Sequence, residues 1–119
     1  MARILFIDDD EGIRFLLREE LSLAGHAVRV AGDGPSGLAA AAECLPDAVI
    51  VDIKMPGMGG LEVLRRLKGA HPELPVFLFT AYSDYWDEAQ ELGADGYFIK
   101  SPDLTALKQA LSRLAPARR

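Results

Sequence analysis

Ile4-Leu5-Phe6-Ile7-Asp8-Asp9-Asp10, near the start of the chain, is an apolar run of strand-forming residues that ends in three acids. Four uninterrupted apolar positions fit a strand covered on both faces, because a strand with one wet face alternates instead. Three later runs end in a similar way: Ala48-Val49-Ile50-Val51 in Asp52, Val76 to Phe79 in Thr80, and Gly96-Tyr97-Phe98-Ile99 in Lys100. Ligands of a parallel sheet bind beyond the carboxyl ends of its strands, so acids, hydroxyl and ammonium are expected at one site. That set suits a magnesium ion, a carboxylate nucleophile and two groups that hold phosphoryl oxygens.

Between these runs the apolar period changes to that of helices. Ile13, Leu16, Leu17 and Leu21 recur at spacings of three and four from Glu11 to Ala24, and Gly25 supplies a stop. Ala27 to Ala31 reads as a further strand, with Arg29 suggesting the sheet edge. Pro35 to Leu45 is an alanine-rich helix. Gly59-Gly60 opens a helix with Leu61, Leu64 and Leu67, and Ser83-Asp84 is expected to cap one that runs to Leu92. A last helix starts near Pro102-Asp103 and presents Leu104, Leu107, Leu111 and Leu114 until Pro116. Five strands alternating strictly with five helices predict an α/β fold, a parallel sheet with helices on both faces and right-handed crossovers.

With 119 residues the chain is one domain, 1–119, long enough for a real core. Thirteen basic against 18 acidic residues, a net charge of -5, argue against an electrostatic grip on nucleic acid or anionic membrane. Cys44 is the only cysteine and reads as a buried, inert thiol, with neither a disulfide nor a zinc site suggested. No signal peptide or membrane-length apolar stretch is read, so a cytoplasmic protein is expected. Only three residues follow Pro116, which suggests a free-standing domain or the first domain of a longer regulator.

Each candidate residue also has a plainer reading. Asp10 and Glu11 are expected to serve the macrodipole of the helix they open. Asp8 and Asp9 are assigned to a cation, because unpaired carboxylates at a strand end repel each other and Asp52 ends a strand close by. The loop Asp52 to Gly60, rich in proline and glycine, could turn the backbone carbonyl of Lys54 toward the metal. Thr80 could be a cap and Lys100 a solvated lysine, but at strand ends they suit phosphoryl oxygens. His26 and His71 lie near turns and read as surface or packing residues.

In order and spacing, Ile7-Asp8-Asp9-Asp10-Glu11, Asp52 with Met55-Pro56-Gly57-Met58-Gly59-Gly60, Phe79-Thr80-Ala81, and Leu92 to Lys100 together resemble the CheY-like receiver domain of two-component response regulators. The resemblance covers essentially the whole chain and implies a doubly wound (βα)5 fold with flavodoxin-like strand order 2-1-3-4-5. It implies magnesium-dependent phosphoryl transfer from a kinase phosphohistidine to Asp52, with Asp9 a direct ligand and Asp8 acting through metal-bound water. Lys100 would pair with the phosphoryl group, Thr80 would move toward it, and Tyr97 would rotate inward. The implied partners are a sensor histidine kinase or phosphotransfer protein and a downstream effector or linked output domain. The fourth helix, fifth strand and fifth helix would form the output face and a candidate dimer face.

One departure stands out, since family members commonly have proline directly after the site lysine and here Ser101 intervenes. A cis bond before a non-proline residue costs about 2.5 to 4 kcal/mol, so Lys100–Ser101 is expected to be trans. Lys54 and Tyr82 are expected to flank the route of an attacking water, and Trp86 to fall in the fourth helix. The rival readings are a magnesium-dependent phosphatase with an aspartate nucleophile, a flavodoxin-type cofactor module, and a degenerate receiver serving as a scaffold. A phosphatase needs a substrate pocket and a leaving-group acid, and a flavin phosphate would be repelled by the acids after the first strand. The chain therefore reads as a phosphoacceptor signalling domain and not a turnover enzyme.

Overall fold

A computed structural model describes residues 2–114. The elements alternate without exception: β1 (Arg3–Ile7), α1 (Glu11–Leu23), β2 (Ala27–Ala31), α2 (Gly34–Glu43), β3 (Ala48–Val51), α3 (Gly60–Ala70), β4 (Val76–Thr80), α4 (Trp86–Glu91), β5 (Gly96–Ile99) and α5 (Thr105–Ser112). All strand pairings are parallel and the order is β2-β1-β3-β4-β5. Arg29 thus lies on an edge strand, as its charge suggests.

The continuous apolar runs have a direct cause in two separate cores. Leu5, Ile7, Val49, Val51 and Leu78 face α2, α3 and α4 through Ala41, Leu64 and Ala89. Ile4, Phe6, Ile50, Phe77 and Phe79 face α1 and α5 through Leu17, Leu21, Leu107 and Leu111. Successive strand residues point to opposite faces, so a strand with a helix layer on each side has no polar position to fill.

Asp10 caps α1, its carboxylate accepting from Ile13 N at 3.1 Å, and Glu11 occupies the first turn. Their acidity is therefore spent on the helix start. Leu16 shares the apolar spacing of α1 but is half exposed, because the inward stripe runs along Leu17 and Leu21. Several expectations are corrected. Cys44 is exposed: α2 ends at Glu43, and the extended backbone at 44 turns the thiol off the Gly37–Ala41 face. Ser83-Asp84 does not cap α4, which begins at Trp86 with no side-chain cap, since residues 81–85 form a loop. α5 begins at Thr105, after an Asp103 side chain that accepts from Thr105 N at 3.0 Å; Pro116 lies outside the described residues. His26 is a packing residue, its Nδ1 accepting from Ala2 N at 3.1 Å. The Lys100–Ser101 bond is trans.

Candidate functional site

The strand ends are tied together by the sheet's own hydrogen bonds. Asp8 N donates to Ala31 O at 3.0 Å, Asp52 N to Ile7 O at 3.0 Å, and Lys100 N to Thr80 O at 2.8 Å. Register alone therefore sets Asp8 and Asp52 side by side at the same end of β1 and β3. Gly60 completes the approach: a Cβ there would lie 2.0 Å from the Asp52 carbonyl oxygen, so only glycine lets α3 start against the acceptor loop. Gly57, with φ of 74°, turns the same loop in the left-handed region.

Asp8, Asp9 and Asp52 each offer a carboxylate oxygen, all within 4.8 Å of one another. Asp8 is fully buried, Asp52 is 6 % exposed, and Asp9 is exposed. Lys100 reaches between the buried two, its Nζ 2.8 Å from Asp8 Oδ2 and 3.0 Å from Asp52 Oδ2. The contact with Asp52 is a hydrogen bond and that with Asp8 an ion pair; apart from that ion pair, Asp8 Oδ2 is buried without a hydrogen-bond partner. Asp52 Oδ1 is likewise buried and unpartnered.

Burial pushes the Asp8 carboxyl above its ordinary pKa, although Lys100 and the N–H of Asp10 pull it down. Burial also works against the Lys100 ammonium, but the attraction of Asp8 and Asp52 outweighs it and leaves that pKa raised. One ammonium against three carboxylates leaves excess negative charge, and two buried oxygens have lone pairs to spare. A small, hard divalent cation with oxygen preference fits that donor set. The carbonyl of Lys54 accepts no hydrogen bond from any described residue, so it too is free for such a role.

Thr80 is fully buried, and its hydroxyl accepts from Tyr82 N at 3.3 Å. Tyr97 is half-buried; its phenol, pushed up by burial, donates to the Tyr82 carbonyl, and its ring meets Trp86 edge-on at 5.6 Å. Thr80 and Tyr97 therefore meet through the backbone of Tyr82. Two residues escaped the sequence reading. Arg14 donates to the Asp8 carbonyl at 2.7 Å and so holds the acid loop from α1, and Tyr85 receives the Lys54 ammonium on its ring. An arginine on a helix and a tyrosine in a loop carry no local signal of such partners.

The chain matches the family model of the response regulator receiver domain over residues 4–112. It is a response regulator receiver domain. Sporulation initiation phosphotransferase F of Bacillus subtilis is 36% identical over 116 residues, covering 96% of this chain and 94% of that one. Response regulator MprA of Mycobacterium tuberculosis is 40% identical over 115 residues, covering 95% of this chain but 49% of MprA, so the chain spans about half of that relative. Among solved structures, response regulator TrrA from Thermotoga maritima, in complex with Mg(2+)-BeF, has a TM-score of 0.91 and 37% identity, covering 97% of this chain and 100% of that one. The receiver domain is thus a signalling domain of two-component systems, with an aspartate cluster of the kind at which receivers bind magnesium. No helix among the described residues is long and apolar enough to cross a membrane.

Proposed function

We propose that this receiver accepts a phosphoryl group on Asp52 from a phosphohistidine of a sensor kinase or phosphotransfer protein. The supporting observation is Asp52 Oδ1, a buried carboxylate oxygen without a partner beside an ammonium that holds the other oxygen. In the transfer a P–O bond forms to the Asp52 carboxylate as the P–N bond breaks, and the electron pair stays on the imidazole nitrogen. Lys100 is near enough to follow the charge onto a phosphoryl oxygen. Magnesium, when bound, supplies positive charge that offsets the phosphoryl oxygens; Asp9, Asp52 and the Lys54 carbonyl would hold it directly, and Asp8 through water.

The Thr80 hydroxyl would leave Tyr82 N for the phosphoryl group, and the released Tyr82 backbone would let Tyr97 move inward. Output would then pass through the α4-β5-α5 face to a downstream effector or a linked output domain, or to a second receiver. The domain is taken as 1–119, acts as a phosphoacceptor and not a turnover enzyme, and works in the cytoplasm. Intact-mass measurement with magnesium and a small phosphodonor tests the core of this reading. Wild type should gain one phosphoryl group and Asp52→Asn none; a gain on the Asn variant would move the acceptor elsewhere.

A further inference from the structure

Lys100 supplies the cation of the acid pocket. Lys54, two residues past Asp52, sends its ammonium elsewhere: it lies over the rings of Tyr85 and Tyr82, 5.1 and 5.7 Å from their centroids. The two rings stand nearly perpendicular, 84° apart with centroids at 6.4 Å, so they form a corner with two π-faces turned to one cation. Tyr82 is 46 % exposed, which puts the corner at the surface. The Lys54 pKa is raised, first by Tyr85 and further by the charge of Asp84.

The segment that carries the two tyrosines bears one sign of charge. From Ala81 to Glu91 the chain has the acids Asp84, Asp87, Glu88 and Glu91 and no lysine or arginine. We propose that the Tyr82–Tyr85 corner, with Asp84 beside it, is a docking site for an arginine or lysine side chain of a basic protein segment, and that Lys54 is its intramolecular occupant in the free protein. The seated ammonium shows which chemistry the corner takes, and the acidic segment selects a basic partner over an acidic one. Lys54 competes because its tether gives it a high local concentration. As it stands in the loop of Asp52, access to the corner depends on that loop's conformation.

Binding of a fluorescein-labelled peptide of alternating arginine and glycine, followed by anisotropy without magnesium or phosphodonor, tests this without reference to the acceptor chemistry. Lys54→Met removes the competitor and should tighten binding about fivefold or more. Arg18→Met makes the same charge change on exposed α1 and should leave affinity within about twofold of wild type. Adding Tyr85→Leu to Lys54→Met should return binding to the wild-type level, whereas adding Tyr85→Phe, which keeps the ring, should preserve the gain. Equal tightening by Lys54→Met and Arg18→Met would reduce the effect to net charge and overturn the site. Retention of the gain with Tyr85→Leu, or its loss with Tyr85→Phe, would overturn the role of the ring.

Discussion

Asp8 and Glu62 are both carboxylates held by cationic side chains, and their acidities move in opposite directions. Glu62, half-buried on α3 but open to solvent, accepts from Arg65 and Arg66 and is pulled down to about 2. Asp8 has Lys100 at 2.8 Å and still rises, because burial removes more hydration than one ammonium returns. A surface ion pair keeps its water and gains little; a buried cluster of like charges is held at a cost and is poised for a cation. The difference marks the functional region more clearly than the number of ion pairs does.

Removing the cation from the buried cluster should have the largest effect. Lys100→Met leaves Asp8 and Asp52 uncompensated and should lower stability by about 3 kcal/mol in magnesium-free urea unfolding at neutral pH. A loss below about 1 kcal/mol would make the cluster no different from a surface pair. Magnesium should act in the opposite sense, stabilising wild type by about 2.7 kcal/mol at a hundred times its dissociation constant. Asp9→Ala should reduce that gain, whereas Asp10→Ala should retain it while costing about 1 kcal/mol of helix capping. The reverse order in a magnesium titration would exchange their roles.

A smaller gain is expected from Asp8→Asn without magnesium, about 1 to 2 kcal/mol at neutral pH. The sign follows from the raised pKa: between the unfolded and folded values the folded protein binds more protons, so wild-type stability falls as pH rises through that window. The advantage of Asn should therefore be full above the folded pKa and shrink on acidification; an advantage that grows toward acid would contradict burial as the cause. Glu62→Gln should be the smallest change. Its pKa is depressed, so its contribution is present above about 4.5 and lost as pH falls through about 2. Salt screening of this solvent-accessible pair should keep the urea midpoint of Glu62→Gln unresolved from wild type at physiological ionic strength.

Strand identity was legible because doubly covered strands leave no polar position, which is visible in Ile4 to Ile7 and Ala48 to Val51 without any partner. The convergence of Asp8, Asp52, Thr80 and Lys100 followed, since parallel strands put all their carboxyl ends on one edge. Spacing did not separate half-exposed Leu16 from buried Leu17 and Leu21, because it selects a helical stripe about a hundred degrees wide and does not say where within it the core lies. Cys44 was misread because one residue of helix length decides which way a side chain at a helix end points.

The sequence by itself determined the alternation of elements, the two-sided core and the set of chemical groups at the sheet's end, because each depends on local periodicity and on topology. Only the tertiary structure decided which groups pair. That Lys100 spans Asp8 and Asp52, that Arg14 holds the Asp8 carbonyl and that Lys54 rests on Tyr82 and Tyr85 depends on side-chain directions between segments far apart in the chain. Such directions are set by packing and desolvation in the assembled fold, and no local pattern of residues encodes them.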